Sequence, residues 1–148
     1  MHVEGSFVVQ RDRGSVFDFF ADPVRLVGCL DDPHTVAVVD ATHFTGTLTT
    51  GVAFIRGTFR MNGEYVENRR PDRIAAKLHG SGLGSGVDAL LTTDLPDASG
   101  STAVRWVADL TFSGPIASVG ERVIRGAVDK KTQALFENAR RSLETGTP

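Results

Sequence analysis

The stretch Ile55-Arg56-Gly57-Thr58-Phe59-Arg60-Met61-Asn62-Gly63-Glu64-Tyr65, "IRGTFRMNGEY", alternates without a slip. Arg56, Thr58, Arg60, Asn62 and Glu64 fall on one side, and Ile55, Gly57, Phe59, Met61, Gly63 and Tyr65 on the other. A side-chain period of two predicts a long, half-buried strand with one wet face. Such a strand needs neighbours to pair with and an apolar layer to cover its dry side.

Period two extends from the region after Asp31-Asp32-Pro33 to Phe112. Turn signals at Asp40-Ala41-Thr42, Arg70-Pro71-Asp72 and Pro96-Asp97-Ala98-Ser99-Gly100 divide it into about six strands, with a less regular break at 50–53. On the N-terminal side, residues 2–10 hold Ser6-Phe7-Val8-Val9, another strand. Asp12 then precedes Val16-Phe17-Asp18-Phe19-Phe20. Its carboxylate can accept free first-turn N–H groups, so a short helix follows and stops at Asp22-Pro23. Residues 24–30 predict a second short helix. After Ser113-Gly114-Pro115 the period becomes helical. Ile116, Gly120, Val123, Ala127, Ala134 and Leu135 make an apolar stripe on one helix over 116–143, with Arg122, Arg125, Asp129, Lys130, Glu137, Arg140 and Arg141 on the other side.

The element order is therefore strand, two short helices, about six strands, one long helix. A long antiparallel sheet twists and curls, and an amphipathic helix can fill its concave face. The predicted class is α+β: a helix-grip fold with a curved antiparallel sheet of six to seven strands around a long C-terminal helix. Residues 1–144 form one domain and 145–148 a short tail.

Bulk properties narrow the function classes. The chain has 148 residues, enough for one domain with a sizeable core. The net charge of −2 gives no field for nucleic acid. A single cysteine, Cys29, precludes an internal disulfide. The start, Met1-His2-Val3-Glu4, has neither the basic nor the apolar part of a signal peptide, and no apolar run is long enough to span a bilayer, so a cytoplasmic protein is expected.

The run His79-Gly80-Ser81-Gly82-Leu83-Gly84-Ser85-Gly86-Val87 resembles a phosphate cradle in composition only. A dinucleotide fingerprint requires G-x-G-x-x-G between strand and helix, but the third position falls on Ser85 or Val87, and 87–95 reads as strand. The alternation instead sets Gly80 and Gly82 on one face with Ile74, Ala76 and Leu78. Gly57 and Gly63 lie beside Phe59 and Met61, Ala89 beside Val87 and Leu91, and Ala108 beside Trp106 and Leu110. Small residues on both walls of one interior have two readings. Either they leave an apolar cavity, or they let helix and sheet approach closely and let the sheet bend.

On the cavity reading the wall is Ile55, Phe59, Met61, Leu78, Leu91, Trp106, Ala108, Phe112, Val123 and Ala127. The entrance is Leu26 and Leu30, sharing one face of the second short helix, opposite a flap at Gly82 and Gly84. No catalytic residue and no metal site is predicted: His2, His34, His43 and His79 are scattered. Cys29 reads as a small buried hydrophobe rather than a nucleophile, and Asp31-Asp32 as a solvated turn rather than an acid–base pair. Arg122, Arg125, Lys130 and Lys131 read as a solvated helix face rather than a dock for an acidic partner. Polar groups facing inward are few: Tyr65, Thr93, and Thr111 or Ser113.

Several stretches are similar to one known family. "GSFVV" at 5–9, "DPVRLVGCL" at 22–30, "GVAFIRGTF" at 51–59, the 80–86 glycine run and, above all, "VGERVIRGAVDKKTQALFEN" at 119–138 resemble the CoxG proteins of carbon monoxide dehydrogenase systems in order and spacing. The resemblance implies a START-like (SRPBCC) helix-grip fold. It implies an accessory role beside aerobic molybdenum-containing carbon monoxide dehydrogenases and related hydroxylases, a quinone carried as ligand with no covalent cofactor, and a place at the inner face of the cytoplasmic membrane. The sequence departs from the family where Cys-Ile-Pro-Gly-Cys is frequent: here Cys29-Leu30 leads into Asp31-Asp32-Pro33. Longer members carry a C-terminal linker and membrane-binding segment, whereas this chain ends at Pro148. The expected function is non-catalytic binding of an apolar, quinone- or lipid-like molecule. The alternatives are a polyketide cyclase, dehydratase or hydrolase on the same fold, and an adaptor with a vestigial cavity.

Overall fold

A computed structural model describes residues 1–96 and 100–145. Asp97, Ala98 and Ser99 of the predicted turn, and Gly146-Thr147-Pro148 of the predicted tail, lie outside the described residues. The elements in chain order are β1 (His2–Val9), α1 (Arg13–Phe20), α2 (Pro23–Val27), β2 (His34–Val38), β3 (His43–Val52), β4 (Ile55–Arg69), β5 (Arg73–Gly82), β6 (Ser85–Asp94), β7 (Thr102–Ser113), a 3-10 turn (Gly114–Val119) and α3 (Glu121–Glu144).

The strands β2 to β7 form a meander, and β1 joins the far edge beside β7, giving the order β1-β7-β6-β5-β4-β3-β2 with every pairing antiparallel. The alternation of β4 holds from Ile55 to Tyr65: Ile55, Phe59, Gly63 and Tyr65 are buried, whereas Arg56, Thr58, Arg60, Asn62 and Glu64 are exposed. A bulge between Tyr65 and Glu67 ends that phase. This is the α+β helix-grip architecture the periodicities predict.

Local chemistry explains the helix starts. Asp12 accepts from Ser15 N at 2.9 Å and Ser15 Oγ at 2.7 Å, capping α1. Asp22 accepts from Val24 N at 3.0 Å, and Pro23 occupies the first position of α2, where it forfeits no helical bond. The predicted helix over 24–30 is shorter. It ends at Val27, and Cys29 and Leu30 continue as tight turns, with Cys29 N donating to Leu26 O and Leu30 N to Val27 O.

The predicted helix over 116–143 is two pieces. Gly120 has φ 107° and ψ 141°, a conformation open mainly to glycine, and it breaks the run. Ile116 therefore belongs to the 3-10 turn, Gly120 is the junction rather than a member of the stripe, and α3 starts at Glu121.

The densest part of the interior lies under the C-terminal half of α3. Phe136 stacks on Trp106 with centroids 4.4 Å apart and planes 12° apart, and lies 6.1 Å from both Phe7 and Phe20. Ala139 and Leu143 continue this buried face, packed with Val9, Val16, Phe17 and Val104. No helix among the described residues is long and apolar enough to cross a membrane.

Candidate functional site: an apolar cavity under the N-terminal half of the long helix

One turn of α3 before Phe136 the packing changes. Ile124, Ala127, Val128, Lys131, Thr132 and Leu135 line a cavity of about 290 Å³. The sheet contributes Leu48 and Thr50 from β3, Phe59 and Met61 from β4, Leu78 and Gly80 from β5, Val87, Ala89 and Leu91 from β6, and Leu110 and Phe112 from β7. Leu26 and Val27 of α2, with Leu30, close one side, and Ile116 of the 3-10 turn the other. The volume is near the lower end of ligand pockets, roughly 300–1,000 Å³.

The small residues divide into two groups. Some glycines are covered by a large neighbour. A Cβ on Gly63 would lie 2.2 Å from the Phe44 ring, and one on Gly5 would lie 2.6 Å from Trp106. Each aromatic is the direct cross-strand partner of its glycine. A Cβ on Gly57 would meet Leu83 at 2.8 Å. These positions serve close approach. Gly80 differs, since its nearest contact would be Arg60 O at 3.9 Å, and it lines the cavity together with Ala89 and Ala127. Both readings of the small residues therefore hold, at different positions.

Of the residues predicted for the wall, Phe59, Met61, Leu78, Leu91, Phe112 and Ala127 lie on the cavity. Four others do not. Trp106 is spent on its stack with Phe136, Ala108 is buried in the same core, and Ile55 packs in a separate cluster with Phe59 and Ile116. Val123 is 47% exposed, because the break at Gly120 rotates the stripe so that Ile124, not Val123, faces inward. The polar groups predicted inside are also placed otherwise. Tyr65 Oη donates to Phe20 O at 2.9 Å, and burial raises its pKa. Thr111 and Ser113 point outward from β7. Thr93 is buried at the edge of the aromatic core, beside Phe20 and Tyr65.

Leu26 and Leu30 border the cavity, but Gly82 and Gly84 do not. Leu83 and Gly84, both at positive φ (53° and 74°), form a two-residue hairpin turn between β5 and β6. Gly114 packs on this turn so closely that a Cβ there would lie 2.2 Å from Gly84 O, and Ile116 N donates to the buried Ser85 Oγ at 3.0 Å. The glycine run is thus a bend clamped beneath the 3-10 turn, not a flap.

The rim lies instead where α3 meets the connection from α2 to β2. Lys131 Nζ donates to Asp32 Oδ2 at 2.7 Å, and Thr50 Oγ1 donates to the same oxygen at 2.8 Å. These bonds, the Lys131 bond foremost, hold the Asp32 carboxyl below its usual pKa. Asn138 Nδ2 donates to Cys29 O at 2.9 Å and Asp31 Oδ1 at 2.8 Å, so the connection is tied to the helix twice. Asp31 and Asp32 are accordingly anchors, not a solvated turn. Cys29 is buried, its thiol pKa pushed up to about 11 by desolvation, and Sγ donates to Arg25 O at 3.3 Å. Lys131 likewise leaves the solvated face expected for it and lines the cavity. Its spacing, four residues after Ala127 and four before Leu135, is the sequence signal that it shares the apolar stripe.

Among the described residues no group of three or more His, Cys, Asp or Glu side chains could hold a metal ion. His79 pairs with Asp88 at 2.7 Å, with both side chains exposed.

A family model described as carbon monoxide dehydrogenase CoxG matches residues 5–144. No protein of curated function matches. Among solved structures, a conserved protein from Geobacillus kaustophilus superposes with a TM-score of 0.86 at 19% identity, over 97% of this chain and 95% of that one. A START superfamily protein from Mycobacterium smegmatis gives 0.74 at 10% identity, over 99% of each chain. A protein from Thermus thermophilus gives 0.72 at 10% identity over the whole of both. At such identities these likenesses establish the fold, which is START-like.

Proposed function

The chain belongs to the CoxG family of carbon monoxide dehydrogenase proteins, and from that premise we propose that it is a non-catalytic carrier, holding an apolar quinone- or lipid-like molecule in the cavity between sheet and helix. The observation that carries this reading is the cavity wall. Leu, Val, Ile, Phe and Met side chains converge on it, and Lys131 is the one Lys, Arg, Asp or Glu among its described lining residues. Such a wall rewards burial of apolar surface by about 25 cal/mol per Å². It offers little to a reaction needing acid and base together, since the Tyr65 hydroxyl is committed to Phe20 O, and Thr111 and Ser113 face solvent. The family supports an accessory role beside a carbon monoxide dehydrogenase-type molybdenum hydroxylase. On this reading the carrier exchanges an electron acceptor between that enzyme and the membrane surface.

The test combines native mass spectrometry with probe uptake. Protein purified without detergent should carry an extractable apolar molecule or bind a fluorescent apolar probe at one site. Ala127→Phe, which places a ring in the cavity, should cut probe affinity at least tenfold while the protein stays folded. Absence of any bound molecule together with no probe uptake, or full uptake by folded Ala127→Phe, would overturn the reading.

A further inference from the structure

We infer that Lys131 and Asp32 form the polar end of the cavity and select a ligand with an apolar body and a neutral hydrogen-bond-accepting head, a ketone-type carbonyl rather than a carboxylate. This rests on the cavity being a binding site, and it names the class of molecule that fits there.

Lys131 lines the cavity yet its side chain is 38% exposed, and its partner Asp32 is 33% exposed, so the pair stands where the apolar interior meets water. An ammonium has three N–H donors, and Asp32 accepts one at 2.7 Å. Donors therefore remain for a group arriving from the cavity side. Thr50 has given its hydroxyl proton to the same carboxylate. Its oxygen retains acceptor capacity only. The rim thus has one strong donor centre, and the rest of the wall offers an apolar body no competing charge.

Charge decides between head groups. Lys131 and Asp32 together are neutral, and Asp32 stays ionised because two donors hold it. A carboxylate approaching Lys131 would also approach the Asp32 carboxylate, in surroundings drier than bulk water where like charges repel strongly. A carbonyl gains a charge-assisted hydrogen bond from Lys131 without adding charge. Orientation follows too. A carbonyl turned into the Phe59, Leu78 and Leu91 side of the cavity would lose its hydration without compensation. The body enters first and the carbonyl rests at the rim.

Three probes sharing one ring system separate the alternatives: naphthalene, acetonaphthone and naphthoate, each titrated against the intact protein by calorimetry. Wild type should bind acetonaphthone on the order of tenfold more tightly than naphthalene, the weight of one hydrogen bond to a charged donor, and naphthoate most weakly. Lys131→Met should abolish the preference for acetonaphthone and leave naphthalene unchanged. Asp32→Asn, which leaves the ammonium unneutralised, should raise naphthoate above naphthalene, and it tests the charge argument even if Lys131→Met does not fold. If wild type binds naphthalene but shows no ketone preference, if the preference survives in Lys131→Met, or if naphthoate binds wild type best, this inference is overturned and the carrier reading stands. If none of the three binds, the carrier reading fails and this inference with it.

Discussion

The two halves of α3 face the same sheet and have opposite interiors. From Phe136 to Leu143 the helix is locked by aromatic contact, with Phe136 flat on Trp106 and Ala139 and Leu143 at most 1% exposed. From Ile124 to Leu135 the helix borders a cavity. The difference comes from side-chain length on both walls. At the core end large rings from β1, β7 and α1 reach the helix. At the cavity end Gly80, Ala89 and Ala127 line the space, and nothing longer fills it. One helix thus serves stability with one end and binding with the other.

The strongest test of that division removes a side chain from each end. Phe136→Ala should cost about 3–5 kcal/mol, because the ring leaves a hole in dense packing. Leu135→Ala, next in sequence but on the cavity, should cost no more than about 2 kcal/mol, since part of its surroundings is already open. Urea unfolding measures both, and equal losses would break the comparison.

Adding volume should give the inverse contrast. Ala108→Phe overpacks the core and should cost about 1–3 kcal/mol. Ala127→Phe has space to enter and should change stability by less than about 1 kcal/mol. The two glycines of the sheet interior sharpen the point further. Gly63→Ala must displace the Phe44 ring from a 2.2 Å approach, whereas Gly80→Ala meets nothing closer than 3.9 Å. The first should lower the melting temperature by several degrees and the second leave it unchanged or raise it. Two indistinguishable melting curves would show that the covered and open glycines are not different in kind.

Cys29 lies where the two regions meet, beneath the connection tied by Lys131 and Asn138. With its pKa pushed up to about 11 and its side chain buried, it should resist iodoacetamide in the folded protein at about pH 8 and react once urea unfolds the chain. Ready alkylation of the native protein would mean that this connection opens freely and that the Asp32 and Asp31 ties do not hold it.

The smallest effect belongs to the outer face, away from both regions. His43 is exposed, and its hydrogen bond to Asp40, then the charges of Asp40 and Glu64, raise its pKa above 6.5. A raised folded-state value stabilises most below pH 6.5, and that contribution is lost as pH rises through the folded value. An NMR titration should place His43 above 6.5, and Asp40→Asn should return it toward that value, with no change at Phe136 or Ala127. Movement of the interior signals with His43 would show the outer face to be coupled to the cavity.

Much of this was legible because period is a local property. Ile55 to Tyr65 alternates because a pleated backbone sends successive side chains to opposite faces, whatever lies beyond. Asp12 and Asp22 cap helices through their own nearest N–H groups. Errors arose where a distant residue or a single backbone angle intervened. Val123 left the wall because Gly120 adopts φ 107° and resets the helical phase. Trp106 and Ala108 left it because Phe136 reaches into their part of the core from the helix. The 82–86 loop ceased to be a gate because the 3-10 turn, distant in the chain, packs onto it.

The sequence by itself therefore determined the class of fold, the faces of the strands, and the surplus of small residues that turns inward. Only the tertiary structure decided which of those small residues are filled and which border a cavity, and that a lysine on the apolar stripe reaches an aspartate of the α2–β2 connection at its rim. The reason is physical. Whether a glycine leaves space depends on the length of the side chain that arrives opposite it from another element, as Phe44 does at Gly63 and none does at Gly80. No spacing along one strand carries that information, because the arriving residue is chosen by register and crossing geometry, which exist only once the sheet has closed around the helix.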